Sequence, residues 1–366
     1  MHSLLLRDDG EVVAFGCNDE GECDVPLLPP GTRYVDASAE NGWSLLVRDD
    51  GADVICGRDV ITFNPDRYPG HADHRQPRPV LPEGSRYIAA AAGTWHGILL
   101  RDDGVAVAFG ENRWGQCNVP ASPAGTRYVA AAAGCDHSIL IRDDGEAIAF
   151  GLRNWELCNV PSLPPGLRYV AVAVGGFHSI LLRSDGTAVA FGRNLHGECD
   201  IPPPPPNLRY IDIAAGWGHS IVVRDDGVAI AVGYNLCGQC NGPAGPLGSH
   251  YVAAYAGDAH SILVRNDGEA VGFGSDYGPG ECNVPVLPAG AQYLARTAGQ
   301  IISKWCPALH RHWSRAVKAI VRLLLLFGKR RRGFVPTELL LEKVLPLAMP
   351  VASVPVSALP VRAVVT

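Results

Sequence analysis

The sequence predicts an all-β chain folded as a seven-bladed β-propeller, and three observations lead there. A unit of about 41 residues recurs from residue 2 to about residue 301. Each unit holds three short apolar runs, as in "RYVAVAVGG", "HSILLR" and "TAVAFG". Asp-Gly turns and Pro-rich connectors separate the runs. A fixed period between about 20 and 50 residues is the signature of a repeat architecture.

The count follows from one slot of the unit. His2, Trp43, His96, His137, His178, His219 and His260 occupy it, at steps of 41, 53, 41, 41, 41 and 41 residues. Seven units result, the second enlarged by an insertion at about residues 58–79. The runs are short, rich in β-branched residues and bounded by Gly, which favours strands over helices. Asp-Gly between two of them is a hairpin signal, because Gly accepts a positive φ without a Cβ clash. The connectors, such as "NVPSLPPG", carry proline, which cannot donate to a sheet ladder. The middle runs ("SILI", "SIVV") are apolar on both faces, so both faces must be covered. Small sheets stacked around an axis satisfy that demand. The chain enters at the second strand of a unit. The missing first strand is expected in "AQYLARTAGQIIS", pairing with "HSLLL" to close the ring.

The frame Gly-x-x-His-Ser…Asp-Gly…Phe-Gly-x-Asn-x-x-Gly-Gln resembles the repeats of the regulator of chromosome condensation. The likeness covers residues 2 to about 301. The short unit with "GQCNVP" is most similar to the bacterial β-lactamase-inhibitor-II branch, and similar repeats form the propellers of HECT-type ubiquitin ligases. The resemblance implies a seven-bladed propeller that binds proteins. It allows two alternatives: guanine-nucleotide exchange on a small GTPase, or substrate recognition for a HECT-type ligase whose catalytic lobe is lacking here. A secreted inhibitor is disfavoured, since the chain starts inside a strand with no secretory signal.

Composition limits the function further. The chain is 47% hydrophobic and 19% charged, a globular balance. Residues 1–301 hold 20 basic and 35 acidic side chains, so the propeller is a poor surface for nucleic acid. Cys23, Cys117, Cys158, Cys199, Cys240 and Cys282 recur in one slot. Equivalent slots on neighbouring blades lie too far apart for a disulfide, so these cysteines are expected to be reduced, in a cytoplasmic or nuclear monomer.

Repetition separates scaffold from surface. The pair before the His slot and the pair in the loop after the third strand vary inside a fixed frame. Strand direction places both on one face and the Asp-Gly turns on the other. Trp, Tyr and Arg dominate protein interfaces. The candidate partner-binding residues are therefore Trp95, Trp114, Trp155, Phe177, His196, Trp217 and Tyr277, with Arg67 and Arg75 from the inserted arm. No catalytic constellation, metal set or cofactor motif rises above the repeat. One slot repeated around a ring cannot converge on an ion, so the histidines are expected to make a local turn-to-strand hydrogen bond. The insertion also holds His71, Asp73 and His74, where a partner-binding arm is preferred to a metal site. Arg7, Arg48, Arg101, Arg142, Arg183, Arg224 and Arg265 precede the turns and are expected to pair with their aspartates.

Residues 304–366 leave the repeat. "RHWSRAVKAIVRLLLLFGKRRR" reads as a basic amphipathic helix for a membrane surface, a calmodulin-like groove or an acidic partner. Lys329 to Arg332 form a candidate nuclear-import cluster. The Pro/Val-rich end is expected to be poorly ordered.

Overall fold

The structure is a computed structural model that describes residues 2–58, 74–245, 248–275, 280–288 and 291–294. Contacts divide the chain into Met1–Ile301 and Ile302–Thr366, and the second unit lies outside the described residues. The expected tail helix and the basic cluster fall there.

Seven small antiparallel sheets follow one another along the chain. Blade 1 holds β1 (His2–Leu6) and β2 (Val12–Gly16). Blade 2 holds β3 (Tyr34–Glu40), β4 (Trp43–Arg48) and β5 (Asp53–Gly57). Blade 3 holds β6 (Arg75–Gln76), β7 (Tyr87–Ala92), β8 (His96–Arg101) and β9 (Ala106–Glu111). Blade 4 holds β10 (Tyr128–Ala133), β11 (His137–Arg142) and β12 (Ala147–Gly151). Blade 5 holds β13 (Tyr169–Val174), β14 (His178–Arg183) and β15 (Ala188–Gly192). Blade 6 holds β16 (Tyr210–Ala215), β17 (His219–Arg224) and β18 (Ala229–Gly233). Blade 7 holds β19 (Tyr251–Ala256), β20 (His260–Arg265) and β21 (Ala270–Gly274).

Each middle strand alternates between its two neighbours, as the period of two along a strand requires. Leu45 and Val47 pack into blade 3 beside Tyr87 and Leu99, while Leu46 packs towards blade 1 with Leu6 and Tyr34. Ile98 and Leu100 meet Leu140 and Phe150 of blade 4. The last seam joins Ile262 and Val264 of blade 7 to Leu5, Phe15 and Tyr293. Arg7 bridges Tyr293, and Leu294 donates its N–H to the Leu6 carbonyl at 2.8 Å, so the start of the expected closing strand meets blade 1, while the rest of it, from residue 295, lies outside the described residues.

The histidines correct the local expectation. Each reaches across a seam to a serine of the following blade, about one period away. His2–Ser44, His96–Ser138, His137–Ser179, His178–Ser220 and His219–Ser261 span 2.6–2.9 Å, and His260–Ser3 closes the circle at 2.9 Å. Ser44, Ser138, Ser220 and Ser261 give their hydroxyl protons to the carbonyls of Glu22, Gln116, Glu198 and Gln239. Their histidine partners must therefore donate from Nε2, which leaves Nδ1 unprotonated. The Nδ1 atoms of His2, His96, His137, His178 and His219 are buried without a partner among the described residues. Each bond contributes about 1 kcal/mol.

One seam departs from this rule on both sides at once. Trp43 stands in the His slot of blade 2, and Gly97 stands in the Ser slot of blade 3. Trp43 is fully buried and donates Nε1–H to the Gly93 carbonyl at 3.0 Å. A Cβ on Gly97 would lie 2.9 Å from the Trp43 ring and 2.7 Å from Phe109. The indole fills the space that a serine side chain would need.

On the turn face, Arg7, Arg48, Arg101, Arg142, Arg224 and Arg265 each pair with the aspartate before the glycine of their own turn, as expected; Arg183 does not, and Asp185 accepts from the Thr187 N–H and hydroxyl instead. The turn glycines hold positive φ, +82° at Gly104. The ten cysteines among the described residues are free. Those of the repeated slot are not inert filler. Cys117 gives its S–H to the Glu111 carbonyl at 3.1 Å, and Cys199 does the same to Arg193 at 3.3 Å.

Two outcomes are expected. Gly97→Ser alone should cost about 1–3 kcal/mol by overpacking, and Trp43→His alone about 2–5 kcal/mol by leaving a cavity. Together they should restore the common pair, with a coupling above about 1 kcal/mol in a denaturant double-mutant cycle; additive costs would show that the two positions do not communicate. The second concerns acid. Burial lowers His96, His137, His178 and His219 to about 3 and His2 to about 4. Unfolding returns each ring to its ordinary value near 6.5. The stabilisation is then complete above pH 6.5 and is lost as pH falls from there towards 3–4, because the unfolded chain alone binds protons. Urea midpoints measured across that window should fall steeply; a flat profile would contradict the neutral ring.

Candidate functional site

Side-chain contacts across blades 4–6 show that the two variable segments share one face. Phe177, from the pair before the His slot of blade 5, touches Trp155, from the third-strand loop of blade 4, with ring centroids 5.3 Å apart and edge-to-face. Phe177 also meets Trp217 of blade 6 at 6.3 Å, again edge-to-face. Trp155, Phe177 and Trp217 thus form a ladder over three consecutive blades. Trp155 is 52% exposed and Trp217 40%. Arg193, which follows the Phe-Gly step of blade 5, lies 5.6 Å from the Phe177 centroid and 5.5 Å from that of Trp217. Leu195 and Leu236 on the neighbouring loops of blades 5 and 6 are 72% and 85% exposed.

The loop that presents Trp155 departs from the repeat. Its counterparts carry Asn and Gly at fixed places, as Asn112 and Gly115 do in blade 3. Blade 4 has Arg153 and Glu156 there instead. Trp155 and Glu156 both adopt left-handed backbone, at φ 53° and 61°. For non-glycine residues that conformation costs about 1–2 kcal/mol each. Strain of this kind collects where a side chain must be held in a particular place. Here it holds the most exposed tryptophan of the face.

The other expected residues fall elsewhere. Trp95 is half-buried under the guanidinium of Arg58, 4.4 Å from its ring centroid. Trp114 is 46% exposed with Arg113 at 5.2 Å. His196 is exposed and edge-to-face on Tyr234 at 5.0 Å. Arg75 sits in β6, which pairs with β9 as a fourth, outer strand of blade 3. The end of the insertion therefore lengthens a sheet, and His74 accepts from the N–H of Asn112 at 2.8 Å. Tyr277, Arg67, His71 and Asp73 lie outside the described residues.

Sequence reasoning missed two features. Arg193 was concealed because arginine is common in every unit. The other is a carboxyl pair at the mouth of the axial channel. Alanines of the inner strands, among them Ala91, Ala132, Ala173 and Ala214, line this channel. At its mouth on the loop side lie Glu40, Asp258, Cys135 and Trp217. Thr94 donates its hydroxyl to Glu40 Oε1 at 3.3 Å. Burial, and then the nearby Asp258, push the Glu40 carboxyl up to about 8; burial raises Asp258 as well. Near neutral pH Glu40 holds its proton. Among the described residues no group of three or more metal-ligating side chains converges, and no helix is long and apolar enough to cross a membrane.

Glu40 carries a penalty that grows with pH. Its folded value lies above its unfolded one, so stability falls as pH rises from about 4.5 to about 8. Glu40→Gln, which keeps an acceptor for Thr94, should raise the melting temperature at pH 8.5 and leave it nearly unchanged at pH 4.5. An equal shift at both values would show that the carboxyl is not the cause.

Comparison with known proteins places this geometry. The family model for the regulator of chromosome condensation (RCC1) repeat matches residues 169–198 and 210–239. No curated protein matches the chain. Among solved structures, Prp20p from Saccharomyces cerevisiae is similar at 18% identity, covering 75% of this chain and 81% of its own, with a TM-score of 0.60. The ectodomain of the Arabidopsis thaliana receptor kinase ACR4 is similar at 16% identity, over 76% of this chain and 92% of its own, with a TM-score of 0.56. The ectodomain of the Physcomitrella patens receptor kinase CR4 follows at 17% identity, 75% and 70% coverage and a TM-score of 0.55. At these identities the likeness speaks for the fold. With the repeat frame, the seven sheets and the family model in agreement, residues 169–198 and 210–239 match regulator of chromosome condensation repeats, and the chain folds as a propeller similar to that of Prp20p.

Proposed function

We propose that this chain is a non-enzymatic protein-binding propeller that takes its partner on the loop face of blades 4–6. One observation carries the reading. Three aromatic side chains from three blades make a continuous ladder, with Trp155 and Trp217 exposed, at positions where the repeat itself varies. The scaffold does not need these side chains, since other blades hold Cys135-Asp136 or Asp258-Ala259 at the same place. Exposed aromatics beside an arginine have the composition of interface hot spots. A rigid stack of sheets beneath them limits the entropy lost on binding. Prp20p, whose fold is similar, binds Gsp1p and histones, which supports a protein ligand in general terms.

The test is a pull-down read by quantitative mass spectrometry, with the wild-type chain and the variant Trp155→Ala/Trp217→Ala as baits. Circular dichroism establishes that both are folded. Partners of the ladder should drop by at least about tenfold with the variant, as loss of hot-spot side chains does. Equal capture by both baits would refute the reading. A captured small GTPase whose binding weakens with GDP, and whose GDP release the chain accelerates, would move the function to nucleotide exchange.

A further inference from the structure

The arginines of this chain fall into two electrostatic classes. On the turn face most of them are neutralised by the fold. Besides the six pairs within turns, Arg33, Arg127 and Arg209 reach the first aspartate of a neighbouring turn, Asp49, Asp143 and Asp225, at 3.3–3.6 Å. On the loop face the arrangement differs. Arg58, Arg113 and Arg193 stack on aromatic rings. Arg193 is the most constrained of the three, flanked by the rings of both Phe177 and Trp217. It forms no ion pair with a carboxylate among the described residues, and its Nε is buried without a partner there.

A guanidinium held between two rings gains cation–π attraction and loses rotamer freedom before any ligand arrives. Its charge is not balanced by those rings. Its planar fork of N–H donors suits a carboxylate, which it can take through two parallel hydrogen bonds. The rings that hold it are also the exposed apolar surface of the ladder, so one ligand segment meets a fixed cation and an aromatic platform together.

We infer that the ladder of blades 4–6 docks an acidic peptide segment of a protein partner: a carboxylate side chain pairs with Arg193, and a neighbouring apolar side chain packs on Trp155 and Trp217. This deepens the loop-face reading and rests on it. The turn face offers no equivalent, because among the described residues none of its arginines stacks on an aromatic ring and most already hold aspartates.

The probe is a displayed library of random dodecapeptides selected on the full chain. Enriched sequences are then synthesised and titrated by fluorescence anisotropy against the wild type and variants. Enriched peptides should combine Asp or Glu with a large apolar residue. Arg193→Glu should weaken them by at least about tenfold. Arg193→Lys, which keeps the charge and loses the flat stack, should fall between the two. Arg193→Gln is the neutral control if the charge reversal disturbs the fold. Affinity should also drop with added salt. Failure to enrich any sequence, enrichment of basic or uncharged sequences, or acidic peptides indifferent to Arg193→Glu and Arg193→Gln would overturn the inference. Binding lost with Trp155→Ala but unchanged in the Arg193 variants would sink the acidic ligand alone. Binding unchanged in all of them would sink the loop-face reading as well.

Discussion

The seam between blades is the constraint on which the structure depends. A middle strand such as His137–Arg142 is buried along almost its whole length, on both faces of a sheet only three strands wide. No single blade can satisfy it, and a row of blades would leave two apolar faces open at its ends. Closing the row into a ring removes the ends. The pairing of Arg7 and Leu6 with Tyr293 and Leu294 makes that closure with the two extremities of the propeller. The circle of His–Ser bonds repeats the same logic in polar form. Six seams carry such a bond, the last returning to Ser3, and at the remaining one the Trp43 indole donates to the Gly93 carbonyl. The rings stay neutral because Nδ1 sits where no proton could be solvated.

A seam tolerates change only as a pair. Trp43 and Gly97 show how a large side chain and a missing one replace a medium pair at unchanged packing. Interiors are packed too densely for one side of a contact to change alone. The same density explains the alanines of the inner strands, which crowd the axis and leave room for little more than a methyl group.

Satisfied seams leave the loops free. On the turn face, Asp-Asp-Gly and its arginines are occupied with each other, and such exposed pairs contribute little to stability. On the loop face, blade 4 departs from the common loop, and with the variable residues of blades 5 and 6 it brings Trp155, Phe177, Arg193 and Trp217 together. The left-handed backbone at Trp155 and Glu156 is the local cost of that departure. The rigidity of the ring supports the loop in a conformation that it would not choose alone.

By itself, the sequence determined the period, the strands, the number of blades and the face on which the variable loops lie. These follow from local chemistry repeated many times: Gly for positive φ, Pro at connectors, alternation along strands. It also placed the start of the chain inside a blade. Tertiary structure alone decided which side chains meet. The histidine partner lies 42 residues away, one period plus one, because the serine is the residue that follows the histidine slot in the next blade. Seven aromatic candidates were equal in the sequence, yet Trp155, Phe177 and Trp217 form one ladder while Trp95 lies under Arg58. Glu40 and Asp258 belong to distant units and meet because both reach the axis. Periodicity fixes where a residue sits within its blade; the direction of its side chain across a seam depends on the neighbouring blade, which no local pattern encodes.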